Sequence, residues 1–468
     1  NIDADCLHYF LRLNGFYSLH DENSSSTKYI RITGNIVKLI KAKDIRKFIR
    51  GWAQDSFLSR DIRNLILNSP KLSDTALDNL QEIELDFTNY THNTQMFFFP
   101  GCSMEVSGTG IKEHPANGST LSHYVWEENV LKHKVRLMED MFTISRKKDI
   151  EGNDVFDIRI NAVPSNFFGY VINSSRVYWR KELEYNFDDK SVGEAAEEVA
   201  EQKRNLINKI FTIGYMLHRY KSPSRAWAPQ AMDNKIGEDG ECNGRSGKSF
   251  MFKALSYFMK TVKLSGRNPK LMDNPHVFDQ VNQHTDFILV DDCDRYLNTG
   301  LFYDIITSDM TVNPKNNQSF TIPFEESAKL GFTTNYVPID FDPSTEARLL
   351  YLVFSDYYHQ RTEDNDYRET RSIRDDFGKD LFSKTYSENE WNADINFFLQ
   401  CCRFYLSLCE ESIKLLPPME NIIRRKYKAD MGNNFEDWAN SYFSPDSEHL
   451  DSFIGREKAF ADCKSFSG

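Results

Sequence analysis

The period at which apolar residues recur changes several times along the chain, and those changes divide it. Up to about residue 190, helix-like and strand-like patterns are mixed. Cys6-Leu-His-Tyr-Phe-Leu-Arg-Leu-Asn-Gly15 has the spacing of a helix closed by glycine, and Tyr29–Ile40 alternates as a hairpin around Gly34-Asn35. Asp44–Trp52 predicts a second helix with Asp44 as its cap, and Met96–Ile111 reads as strand, turn, strand, turn. From 191 to 222 the period is helical, with an acidic first half and then an apolar stripe of Leu206, Ile207, Ile210, Ile213, Met216 and Leu217. Such a stripe serves a partner helix or plain core packing. Lys221-Ser-Pro-Ser-Arg225 breaks it.

Between 223 and 362 lie short strand-like segments, Ala226–Met232, Phe287–Val290, Ala328–Thr334 and Leu349–Phe354, of which Phe287–Val290 is an apolar run as in a strand buried on both faces, with a helical run from Phe250. Polar and charged residues come next, with Arg361, Arg368, Arg371 and Arg374 set among acids as a solvated linker or a basic edge. Trp391–Leu416 is an apolar helical run stopped by Pro417-Pro418. The expected organisation is an α/β protein: an α/β module over 1–190, a helical segment over 191–222, a domain with a mainly parallel sheet over 223–362, and a helical region over 363–468.

Chemistry concentrates between Gly237 and Arg348. Asn243, Gly244, Arg245, Ser246, Gly247, Lys248 and Ser249 have the composition of a phosphate-binding loop opening a helix, although Cys242 stands where such loops carry their first glycine. Backbone N–H groups and the helix N-terminus would surround a polyphosphate, with Lys248 on its outer phosphates and Ser249 on Mg²⁺. The alternative is a Gly-Ser loop that caps a helix. About 40 residues on, the run Phe287–Val290 ends in Asp291 and Asp292. Carboxylates at the end of a buried strand cost desolvation energy unless a cation meets them, and Mg²⁺ with its water is a fitting partner. A solvated strand end is the plainer possibility. Further on, Thr333-Thr334-Asn335 delivers a neutral amide that can bind a phosphate or a water, or merely sit in the turn before Pro338. Arg348, 13 positions later, can stabilise transition-state charge or form a surface ion pair.

The order of these motifs resembles the superfamily 3 helicases, in the poxvirus-type and phage primase-helicase branch of the AAA+ ATPases. The resemblance implies a ring-forming, ATP-driven DNA translocase of a virus, phage or mobile element. It implies ATP and Mg²⁺ as cofactors, single-stranded or forked DNA as substrate, a homo-oligomer such as a hexamer, and a primase or polymerase domain in the same or a partner chain. It assigns the loop lysine to Lys248, the metal-binding hydroxyl to Ser249, the acid pair to Asp291 and Asp292, with Asp291 on the metal, the sensor amide to Asn335 and the trans-acting arginine to Arg348. It makes residues 191–222 an oligomerisation collar. It also places a channel hairpin between acids and sensor, which matches Ser308–Ile322, with Lys315 as the DNA-tracking tip; Pro-Lys-Asn-Asn between two β-rich runs reads as a hairpin on its own terms. Residues 1–190 look like the small α/β module that precedes the ATPase in that branch and offer no acid cluster for priming or nuclease chemistry.

Composition changes this picture at one point. The net charge of −12 is not that of a protein that coats DNA over its whole surface, since phosphate neutralisation supplies most non-specific affinity, but an acidic chain can still bind DNA if a ring concentrates a few lysines in a narrow pore. Two rival functions share the motifs: a non-motor AAA+ NTPase acting as a nucleotide-gated DNA or protein clamp, and a kinase-like phosphotransferase. Eight cysteines without a C-x-x-C pair suggest free thiols in a reducing cytoplasm, and no apolar stretch is long enough to predict a membrane span. The absence of an initial Met and an ending at Phe466-Ser-Gly468 suggest a piece of a longer polypeptide.

Overall fold

The computed structural model describes residues 2–19, 28–115, 123–176, 196–234, 245–336, 343–363, 367–415 and 434–467. The chain divides into two compact units, Asn1–Val135 and Arg136–Gly468.

In the first unit α1 (Ala4–Leu13), α2 (Ala42–Asp55), α3 (Arg60–Leu67) and α4 (Asp74–Leu77) accompany two sheets. One comprises β1 (Phe16–Leu19), β2 (Lys28–Thr33), β3 (Ile36–Ile40), β4 (Glu82–Ile83) and the later β8 (Val125–Trp126), in the order β4-β1-β2-β3-β8. The other is an antiparallel meander of β5 (Thr94–Phe99), β6 (Cys102–Ser107) and β7 (Gly110–Pro115). Leu11, Phe16, Ile45, Ile49 and Leu77 form the core under α1 and α2. The β2–β3 hairpin turns at Gly34, whose φ of 63° suits glycine. Asp44 does not cap α2: the cap is Lys41, and Asp44 sits in the first turn. There its carboxylate accepts the otherwise unpaired Lys41 N–H at 2.9 Å, which lets the helix begin at buried Ala42.

The second unit begins with the hairpin β9 (Phe142–Lys148) and β10 (Asp154–Ile160), then α5 (Asn166–Asn173) and α6 (Ala196–Leu217). Residues 136–176 belong to this unit, and long-range polar contacts tie them to the helix Glu388–Ser407 and the turn that follows it. Arg146 bridges Glu411 at 2.7 Å, and the Ser165 hydroxyl that caps α5 donates to Asp394 at 2.7 Å. The central sheet joins β11 (Ala228–Asp233), β12 (Thr261–Ser265), β13 (Phe287–Cys293), β16 (Lys329–Thr334) and β17 (Leu349–Phe354) in the order β12-β13-β16-β11-β17, all parallel. The second unit is thus mixed α/β around a parallel sheet, as expected, with β11, β16 and β17 buried along their whole length. Between β12 and β17 lie α8 (Tyr303–Thr307), the antiparallel pair β14 (Met310–Val312) and β15 (Phe320–Ile322), and α9 (Pro343–Arg348), while α7 (Lys248–Leu255) comes after β11. Met310, Val312 and Ile322 bed the base of that hairpin in the core of the sheet.

The apolar stripe of α6 is buried inside this unit, and so are its polar positions: Asn205 to His218 are buried without interruption. The Lys209 ammonium, driven below its ordinary pKa by burial, donates to the Val353 carbonyl at 2.5 Å and to Ser175 Oγ at 3.2 Å. A helix that is covered all round serves as core. It packs on α11, which comes after the short α10 (Ile373–Phe377). Helix α11 runs from Glu388 to Ser407 with Ser387 and Glu390 as a capping box, stopping short of the expected Leu416 as the chain turns through Ser412 at φ 52°. Further on come α12 (Phe435–Tyr442) and α13 (Arg456–Ser467). Among the described residues the cysteines are free, and no helix is long and apolar enough to cross a membrane.

Asp394 ties α11 to α5 by accepting from Tyr386, Ser165 and the Phe167 N–H. Burial outweighs those bonds and pushes its carboxyl up to about 6. The folded state therefore holds this proton more tightly than the unfolded chain. Its stabilisation is complete below the ordinary value of 3.8 and is lost as pH rises through about 6. Urea midpoints should fall over that window, by up to about 3 kcal/mol in stability at about 1.4 kcal/mol per pH unit, and Asp394→Asn should flatten this segment.

Candidate functional site

The carboxyl ends of β11, β16 and β13, adjacent in that order, bring four sequence-predicted residues together. Asp233 ends β11, and helix α7 begins at Lys248 beyond the loop. Gly247 caps α7 with a φ of 97°, a conformation L residues rarely adopt. The Lys248 ammonium is almost buried, donating to Asp233 Oδ2 and, at 2.8 Å, to Asn335 Oδ1 just past β16. Ser246 Oγ donates to the other oxygen of Asp233. One residue along α7, Ser249 Oγ donates to Asp291 Oδ1 at 2.6 Å. Lys248, Ser249, Asp291 and Asn335 therefore share one crevice at the carboxyl edge of a parallel sheet, where open α/β sheets bind ligands.

The two acids part company. Strand register runs from Val290 opposite Phe332 to Cys293 opposite Thr334, so Asp291 and Asp292 face Thr333 alone in a bulge. Asp292 takes φ 58°, a left-handed geometry that costs an L residue roughly 1–2 kcal/mol and that Asp tolerates better than most. Asp291 stays buried, accepting from Thr333 Oγ1 at 2.6 Å and pairing with Lys263 at 2.6 Å. Asp292, its side chain 43 % exposed, turns to Arg267 at 2.6 Å, while its N–H donates to Thr333 Oγ1 at 2.7 Å. Burial works against ionisation of Asp291, but hydrogen bonds from Lys263, Ser249 and Thr333 prevail and hold its carboxyl below the ordinary value. It is an anion at neutral pH.

These donors fit a hard cation. The oxygens of Ser249 and Thr333 converge on one carboxylate oxygen of Asp291, and no cluster of three His, Cys, Asp or Glu occurs among the described residues. A Mg²⁺ site needs one or two protein oxygens and completes its octahedron with water and substrate phosphates, so Ser249 and Asp291 would hold it here.

Of the other predicted residues, Lys315 and Arg348 lie apart from this crevice. Arg245 is exposed at φ 79°, and Asn243 and Gly244 fall outside the described residues. Lys315 is exposed between β14 and β15 beside Asn316, whose φ of 64° turns the chain. Arg348 ends α9 just before Leu349, which pairs with Ala228 at the start of β11, whereas the site lies beyond Asp233. Five residues of strand, about 16 Å, separate the two edges, more than an arginine side chain spans. Its guanidinium lies 5.8 Å from the centre of the Tyr303 ring.

Asp233, Thr333 and Tyr170 escaped the sequence reading. Asp233 carried a usable signal: an acid ending an apolar run just before the loop repeats the pattern of Asp291. Thr333 is indistinguishable in sequence from Thr334, whose hydroxyl instead donates to the Cys293 carbonyl at 3.1 Å. Tyr170 lies 77 residues from the glycine it contacts, which no local pattern reports.

No family model and no curated protein matches the sequence. Among solved structures, an apo form of the NrS-1 C-terminal region aligns over 70 % of this chain and 68 % of its own, at 12 % identity and a TM-score of 0.27. A JCV helicase bound to a thiazolopyridine compound aligns over 62 % of this chain and 68 % of its own, at 11 % identity and a TM-score of 0.26. Likenesses this slight add nothing to the geometry of the crevice.

Proposed function

We propose that the second unit is an AAA+ ATPase of the superfamily 3 helicase type, hydrolysing ATP with Mg²⁺ at the seams of a homo-oligomeric ring, such as a hexamer, to move DNA during replication of a virus, phage or mobile element. The observation that carries this reading is the meeting of Lys248, Ser249, Asp291 and Asn335 at the carboxyl ends of adjacent parallel strands. Lys248 would bind the outer phosphates, and Ser249 and Asp291 would hold the cation, which would supply charge to offset that of the phosphates. Asn335, held beside Lys248, hydrogen-bonds the terminal phosphate or the attacking water. Asp292 follows the cation-binding acid in sequence and would polarise the attacking water only on leaving its partner Arg267. Arg348 is too far from its own loop to act there, which supports action on the neighbouring copy. The exposed Lys315 tip supports a role in gripping phosphates of single-stranded DNA within the ring.

Strand displacement tests the motor. ATP should drive release of the labelled strand from a forked duplex, and Lys315→Ala should slow that release at least about tenfold by removing the grip on backbone phosphate. A nucleotide-gated clamp would hydrolyse ATP and leave the fork paired.

A further inference from the structure

Tyr170 is fully buried in α5, and its hydroxyl donates to the Gly247 carbonyl at 2.7 Å. That carbonyl also accepts from Phe250 N at 2.9 Å and Met251 N at 3.2 Å, so three donors fix its direction. The ring and the glycine are fitted to each other: a Cβ on Gly247 would come within 2.9 Å of the tyrosine ring. Phe250 meets the ring edge-on at 5.1 Å, and Tyr358 lies 5.8 Å away at 24°. Helix α5 is anchored from behind, since Asp394 accepts from both Ser165 and the Phe167 N–H. Burial pushes the Tyr170 hydroxyl well above its ordinary pKa, so it stays a donor throughout the pH range of any assay.

The peptide joining Gly247 to Lys248 is trans, so its C=O and N–H point in opposite directions. With the oxygen held toward Tyr170 and along α7, the Lys248 N–H points off the start of the helix into the loop. That N–H is one of the unpaired donors a helix N-terminus offers an anion, and extra bonds to the carbonyl of the same peptide strengthen it as a donor. We propose that Tyr170 is a positioning residue for the phosphate loop, fixing the Gly247–Lys248 peptide so that its N–H meets the inner phosphates of the nucleotide. This rests on the ATPase reading above and deepens it. It also makes nucleotide binding depend on a helix that precedes the motif-bearing span in sequence.

Tyr170→Phe keeps the ring and removes the hydroxyl, and it should be compared with Tyr170→Leu, which loses ring packing as well. In the full chain, Tyr170→Phe should raise the KM for ATP and the dissociation constant of mant-ADP about five- to tenfold, as loss of one hydrogen bond does, with kcat within about twofold and the thermal midpoint within about 2 °C of wild type. Tyr170→Leu should lower the midpoint too. Unaltered mant-ADP affinity in Tyr170→Phe overturns the proposal, and so does a loss of affinity accompanied by a matching fall in the midpoint, which would make Tyr170 a packing residue. Wild-type protein that binds no mant-ADP is a separate result, and it removes the phosphate-loop reading itself.

Discussion

Lys248→Ala should reduce kcat/KM for ATP by about two to three orders of magnitude, because the loop then loses its own cation for the outer phosphates and a preorganised donor to the developing charge, while Lys263 stays paired with Asp291. The same change also disturbs the fold. Lys248 is the cationic partner of Asp233, which is buried, and removing one member of a buried pair costs about 3–5 kcal/mol by leaving the other charge uncompensated. Ser246 still donates to Asp233, which places the expected loss at the low end of that range. The confounding effect is separable. Adding Asp233→Asn neutralises the orphaned carboxylate, so the double variant should recover most of the lost urea midpoint while its ATP turnover stays as low as that of Lys248→Ala. Turnover within tenfold of wild type in a folded Lys248→Ala protein would sink the assignment of the loop.

What the sequence made legible is local. Apolar runs without alternation marked β13 and β17 because strands buried on both faces have no polar side to reveal, whereas β11 and β16 carry buried polar residues such as Gln230 and Lys329, and Pro-Lys-Asn-Asn marked the β14–β15 turn. Identity and order of the crevice residues could be read because each ends a strand or opens a helix. What stayed hidden depends on register and on distant partners. Two adjacent aspartates look equivalent until the bulge opposite Thr333 sends one inward to Ser249 and the other outward to Arg267. The apolar stripe of α6 marked one side of the helix and left the rest open, yet Lys209 and Asn208 are buried too, and the Lys209 ammonium is satisfied by a carbonyl near the end of β17. Asp44 appeared to be a cap because capping acids and first-turn acids share one composition; the choice between them fell to the burial of Ala42.

Arg348→Ala should cost about 10³–10⁵-fold in turnover if its guanidinium completes the site of the adjoining copy, the range seen when an arginine finger is withdrawn from phosphoryl transfer. A surface ion pair at the same position would cost at most about 1 kcal/mol of stability and leave catalysis intact. The position on the sheet favours the first outcome, since Arg348 precedes β17 at the amino edge while Lys248 stands past the carboxyl edge of β11. A head-to-tail arrangement of copies brings those two edges together at every seam, and it forms a ring where the rotation closes. Mixing provides the decisive measurement. Lys248→Ala protein retains its arginine and Arg348→Ala protein retains its phosphate loop, so in rings assembled from equal amounts roughly a quarter of the seams pair an intact loop with an intact arginine. ATPase should return toward that fraction of wild type although each variant alone is inactive. A phosphotransferase that works as a single chain would regain nothing on mixing, whatever the ratio, and an arginine serving only its contact with Tyr303 would lower the thermal midpoint of Arg348→Ala without making its activity depend on a second copy.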